Sequence, residues 1–103
     1  MIIGYSKNGV PIRLSKERQA HIERRHPEMR DQTEKIVETI ADPDIVQEGD
    51  FGELLAIKFF SDTPLTEKFL VAVYREINDE EGFLITAYFT RSSSKRRKVI
   101  WRR

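Results

Sequence analysis

The stretch His21-Ile-Glu-Arg-Arg-His26-Pro27-Glu28 holds both histidines of the chain and sets cations between them. Histidine is the side chain whose ordinary pKa lets it take up and release a proton near neutrality. With no cysteine present, these two imidazoles are the candidates for acid–base chemistry. A second concentration of charge follows much later, in Arg91-Ser-Ser-Ser-Lys95-Arg96-Arg97-Lys98-Val-Ile-Trp101-Arg102-Arg103. A titrating pair beside many cations, with no evident set of metal ligands, suits the binding or cleavage of a phosphodiester.

On a helix, residues 18, 21, 22 and 25 share one face. That stripe is Arg18, His21, Ile22 and Arg25. Ile22 turns the face toward a core, which carries His21 and Arg25 to the border of a cleft. Arg25 suits phosphate through its planar fork of donors. The plainer account makes His21 a hydrogen-bonding residue at a helix–sheet boundary. His26 lies about 140° around a continuous helix from His21, too far to face one site, unless the stop at Pro27 lets it swing. It also reads as a cation set against the helix dipole at a C-terminus. Glu28 is read as structural, and Ser92-Ser-Ser94 as a loop.

These residues need elements to position them. Ile12 and Leu14 alternate with polar neighbours after an Asn8-Gly9 turn, which predicts a short strand. Ser15 reads as the N-cap of a helix over 15–27, closed by Pro27. Asp31-Gln-Thr-Glu34 resembles a capping box opening a helix over 31–41, with Ile36, Val37 and Ile40 on its buried face. Asp42-Pro43-Asp44 stops it. Strands follow at 45–46, 54–60, 69–77 and 83–90, separated by turns at 49–52 and 61–64 and a hairpin loop at 78–82. Alternation buries Phe69, Val71 and Val73. In 83–90 it makes Phe83, Ile85, Ala87 and Phe89 the core face, with Leu84, Thr86, Tyr88 and Thr90 opposite. Hydroxyls on a rigid sheet floor could position a phosphate, though Thr and Tyr are also ordinary on a solvated face. Helices followed by an antiparallel meander predict an α+β fold in one domain, residues 1–103, with the helices on one face of the sheet.

Composition sets the frame. At 103 residues, 39% hydrophobic and 10% aromatic, the chain can bury a modest core. The absence of cysteine fits a reducing compartment, and the start Met-Ile-Ile-Gly-Tyr-Ser-Lys does not read as a secretory leader. The longest apolar run, 69–74, is too short to span a membrane, so a cytoplasmic setting is expected. The net charge of +1 conceals an asymmetry: residues 91–103 contain seven Lys or Arg and no acid. Such a block marks a polyanion-binding edge or a solvated tail. Val99-Ile100-Trp101 favours a return to the body as a short strand.

Taken together, Leu14-Ser-Lys-Glu-Arg18, His21-Ile22, Arg25-His26-Pro27-Glu28, Asp42-Pro43-Asp44, Ile85-Thr86-Ala87-Tyr88-Phe89-Thr90 and Ile100-Trp101 resemble small phage-, toxin- and mobile-element-associated domains. These are grouped with the barnase–EndoU–colicin–RelE (BECR) nucleases, and the resemblance spans nearly the whole chain. It implies two N-terminal helices packed on a four-stranded antiparallel sheet, and a metal-independent ribonuclease without a cofactor. His21, Arg25 and His26 match the helix signature, and Thr86, Tyr88 and Thr90 the strand signature. The basic tail has no motif counterpart.

The expected activity is therefore endonucleolytic cleavage of RNA (tRNA or mRNA) by internal transesterification. One group removes the 2′-hydroxyl proton and another protonates the departing 5′ oxygen, at pKa values near the working pH. His21 is the first candidate acid or base and His26 the second. Arg25 and Arg91 are phosphate clamps, and Tyr88 and Thr90 position groups or bridge protons. Thr86, Lys95, Arg96, Arg97 and Lys98 extend the substrate contact. An antitoxin protein is a candidate partner, and no membrane is expected. The alternative is a non-catalytic module that binds nucleic acid or protein through the same basic edge.

Overall fold

The computed structural model describes residues 1–103. Its elements are β1 (Ile2–Tyr5), β2 (Pro11–Arg13), α1 (Lys16–Arg25), a 3₁₀ turn (Pro27–Met29), α2 (Thr33–Ala41), β3 (Ile45–Glu48), β4 (Leu54–Phe59), β5 (Phe69–Asn78), β6 (Glu81–Thr90) and β7 (Val99–Arg102). No helix is long and apolar enough to cross a membrane.

The fold is α+β, but the expected four-stranded antiparallel sheet is replaced by seven strands in the order β1-β2-β6-β5-β4-β3-β7. Strands β3 to β6 do form an antiparallel meander. The β1–β2 hairpin extends it on one side, and β7 pairs with β3 on the other. The basic tail thus returns as a strand. β2 joins β6 in parallel, through Ile12↔Gly82 and Arg13↔Phe83, so the sheet is mixed. Gly82 makes this seam feasible: a Cβ there would lie 2.7 Å from the Arg75 carbonyl oxygen and 2.9 Å from Ile12 Cδ1. It is therefore a strand residue rather than part of a loop. The β5–β6 turn narrows to Asp79–Glu80, where the Asn78 side-chain oxygen accepts from the Glu80 N–H at 2.8 Å.

Both helices differ from expectation at their ends for local reasons. Ser15 caps α1 by accepting from the Arg18 N–H at 3.1 Å. The helix ends at Arg25 rather than 27, because proline pushes the preceding residue out of the α region. His26 accordingly sits at φ −136°, ψ 79°. No capping box forms before α2. Asp31 takes a left-handed φ of 64° leaving the 3₁₀ turn, and the N-cap falls to Gln32, which makes no side-chain capping bond.

The sheet buries apolar residues on both faces. Ile36 and Ile40 of α2 and Ile22 of α1 pack with Ala56, Leu70, Ala72, Tyr74, Leu84, Ala87 and Phe89. On the opposite face, Leu55, Ile57, Val71 and Val73 form a separate cluster against Ile85 and Tyr88. A bulge between these layers corrects the expected core of β6. Val73 pairs with Thr86 but Tyr74 pairs with Leu84, leaving Ile85 as the extra residue. The alternation flips there, so Leu84 joins the helical side, Ile85 moves to the opposite face half-buried, and Phe83 is left 39% exposed. Phe69 and Val37 are also half-buried rather than buried. The sheet curls strongly, and Lys7, just after β1 at one edge, sets its Nζ 4.4 Å from the ring centre of Trp101 in β7 at the other.

Candidate active site

The face of the sheet away from α2 carries the candidate site, because β6 delivers Thr86, Tyr88 and Thr90 there. The C-terminus of α1 meets this face at the Ile85–Thr86 end of the strand. A shallow groove of about 240 Å³ is lined by Arg18, His21, Arg25, His26, Ile85 and Thr86. Both histidines therefore reach one groove. A helix continuing past Arg25 would have separated them; the non-helical backbone of His26 ahead of Pro27 lets its ring meet Tyr88 of the sheet.

His26 is the better anchored of the two. Its ring lies 5.6 Å from that of Tyr88, tilted by 32°. Its Nδ1 lies 3.7 Å from a Glu28 carboxylate oxygen, too long for a hydrogen bond. Glu28, read from the sequence as structural, thus faces the site. His21 is half-buried and also borders an outward groove of about 360 Å³ with Arg18 and Arg24. Arg18 borders it in both grooves, and Glu17 also lines the outward one.

Tyr88 links this groove to a second one of about 280 Å³. Leu55, Ile57 and Val71 contribute its apolar lining, and Gln47, Thr90 and Arg97 are also on it. Residues 92–94 form its rim and are tied to the sheet. The Thr90 hydroxyl donates to the Ser92 carbonyl at 3.2 Å, and Gln47 Nε2 donates to the Ser94 carbonyl at 2.7 Å. Gln47 Oε1 is buried without a partner.

The basic residues divide. Arg97 lines the second groove and pairs with Asp50 at 3.4 Å. Arg96 and Lys98 line a neighbouring cavity of about 550 Å³ that also includes Glu48 and Asp50. Arg91 points away from both histidine-side grooves, 82% exposed and 3.7 Å from Glu67. Lys95 is exposed and lines no groove. The structure thus gathers His21, Arg25, His26, Thr86, Tyr88, Thr90 and Arg97, and leaves Arg91 and Lys95 outside.

Sequence reading passed over Gln47, placed Arg18 on the His21 face without giving it a role, and read 92–94 only as a loop. Gln47 carried a usable signal: it shares the inward alternate position of Ile45 in β3, where a polar side chain needs a reason. No three His, Cys, Asp or Glu side chains gather as a metal-binding set. Comparison of the chain with family models, curated proteins and solved structures finds no match.

Proposed function

We propose that the protein is an endoribonuclease acting by internal transesterification, related to the BECR nucleases that its motifs resemble. The observation that carries this reading is the shared groove of His21, His26, Arg25 and Thr86, joined to Tyr88 by the His26 ring. In the proposed reaction His26 takes the proton of the substrate's 2′-hydroxyl. The 2′ oxygen bonds to phosphorus as the bond to the 5′ oxygen breaks, and His21 protonates that leaving oxygen. Glu28 stands beside that ring, 3.7 Å from its Nδ1. Arg25, with its fixed fork of donors, meets the charge that gathers on the phosphorane. Tyr88 and Thr90 hold the sugar–phosphate chain over the sheet. A cytoplasmic setting, with tRNA or mRNA as substrate and an antitoxin as partner, belongs to this same proposal.

The test is incubation of the purified protein with mixed tRNA, mRNA and rRNA in chelator, followed by mapping of the product ends. Products ending in 2′,3′-cyclic phosphate or 3′-phosphate are expected. Ends bearing 3′-hydroxyl, or activity lost to the chelator, would overturn the mechanism. RNA binding without any product would favour the non-catalytic module, whose support is the run of cations at 95–98.

A further inference from the structure

The turn between β1 and β2 meets the last strand across a groove of about 270 Å³. Tyr74 and Leu54, which line it, pack with the layer under α2, so it opens on the side of the sheet away from the candidate active site. Val46, Leu54 and Ile100 make its lining apolar, and Trp101 stands in it half-buried. Two polar groups there are left without partners. Lys7 holds its ammonium 4.4 Å from the Trp101 ring centre and makes no ion pair. Tyr74 is only 1% exposed, and its hydroxyl takes part in no hydrogen bond of the chain, although a buried hydroxyl ordinarily has one. That hydroxyl is not sealed in as Gln32 Oε1 and Gln47 Oε1 are, so what stays accessible of Tyr74 is its polar end, facing the groove it lines. Burial and the Glu76 carboxylate keep it protonated, and thus a donor.

We propose that this groove binds a small aromatic carboxylate. The Lys7 ammonium takes the acid group with the Tyr74 O–H as a second donor, and the ring lies against Trp101, Leu54 and Ile100. A bare inorganic anion would leave the apolar lining wet, and a neutral ring would leave Lys7 unmatched. One molecule carrying both parts satisfies both. Glu76 does not compete for Lys7: Ser6 Oγ and Asn8 Nδ2 already donate to it, and it does not line the groove. Lys7 follows β1 at one edge of the sheet and Trp101 lies in β7 at the other, so the ligand bridges the two edges and stabilises their meeting by mass action. None of these residues belongs to the proposed cleavage machinery, and the site is independent of the endoribonuclease reading.

Trp101 is the only tryptophan of the chain, so its fluorescence reports on this groove. The experiment titrates the full chain with phenylacetate, phenylacetamide, phenethylamine and acetate at constant ionic strength. Phenylacetate should change the emission saturably, with an affinity at least about threefold above that of the amide, an exposed ion pair's worth. Phenethylamine, a cation set against Lys7, should bind least of the three aromatics. Acetate, which has no ring, should leave the emission unchanged. Lys7→Met keeps the apolar stem of an exposed side chain and should erase the preference for acid over amide. Tyr74→Phe should weaken phenylacetate roughly tenfold, the loss of one hydrogen bond to a charged group. Thermal melts establish that both variants are folded. A phenylacetate titration indistinguishable from that of acetate, or equal affinity for acid and amide, would overturn the proposal. So would an acid preference that survives Lys7→Met, or an affinity untouched by Tyr74→Phe.

Discussion

The rings of His26 and Tyr88 lie 5.6 Å apart, one on the residue that ends α1 and the other in the middle of β6. This contact joins the cationic groove at the helix to the apolar groove on the sheet. It exists because Pro27 denies His26 a helical backbone and Tyr88, paired with Val71, emerges on the sheet face away from α2.

If His26 is the base of the proposed reaction, His26→Ala should lower turnover by at least about a hundredfold, the low end of general acid–base catalysis. RNA affinity should change little, because the group acts on a proton in the transition state. His21→Ala should produce a similar fall. Arg25→Ala should instead weaken both binding and turnover. Rates are compared on proteins whose thermal melts match the parent. A folded His26→Ala that cleaves at the parent rate would reduce the histidine to a helix cap.

The tail's cations should differ in their effect on RNA binding. Lys95, Arg96 and Lys98 form no ion pair, whereas Arg91 and Arg97 face Glu67 and Asp50. Neutralising the first three together should flatten the slope of log affinity against log salt by roughly 2, from about 0.7 per released counterion on a single strand. Neutralising Arg91 should change the slope less, because Glu67 already screens it. Titrations at several salt concentrations check this, and an unchanged slope in the triple variant would make the run a solvated edge.

Much of this arrangement was legible in the sequence. The positions of α1, α2 and the strands from β2 to β7 followed from alternation, helical spacing and turn residues, because each is dictated within a few neighbours. β1 was missed, since Gly4 interrupts Ile2-Ile-Gly-Tyr; that glycine lets Val37 of α2 approach, with Cγ1 only 2.9 Å from where a Cβ would sit. The parallel seam between Ile12 and Gly82 has no local signature at all, because it joins residues distant in the chain. The bulge at Ile85 likewise arises from pairing with β5, and it reversed the expected inward residues at the start of β6. At the site, residue types were readable but the meeting of His26 with Tyr88 was not. It depends on where helix and sheet come together.

Gly82→Ala tests the parallel seam directly. The new methyl would collide with the Arg75 carbonyl, a backbone atom that cannot swing aside, and with Ile12. Destabilisation of about 1–3 kcal/mol is expected, the usual cost of overpacking. Urea midpoints measure it, and amide exchange should quicken first at Ile12 and Arg13, the two β2 residues paired with β6. A neutral substitution with unchanged exchange would mean that β2 does not dock on β6 in solution.

Alkaline stability should depend on Tyr74. Its hydroxyl is pushed well above the usual range, first by burial and then by the nearby Glu76 carboxylate. The folded protein therefore keeps a proton that the unfolded chain gives up near the ordinary tyrosine value of about 10. This contribution is fully present below that pH and declines as pH rises through it, by up to about 1.4 kcal/mol per pH unit for one proton. Tyr74→Phe removes the ionisable group while keeping the ring in the core, so its urea midpoint should fall less between about pH 9 and about pH 11, one unit on either side of the ordinary value. At pH 7 the two proteins should differ little, because the tyrosine is neutral in both states. If parent and variant lose stability with equal steepness, the alkaline limit comes from elsewhere and the buried hydroxyl is not what sets it.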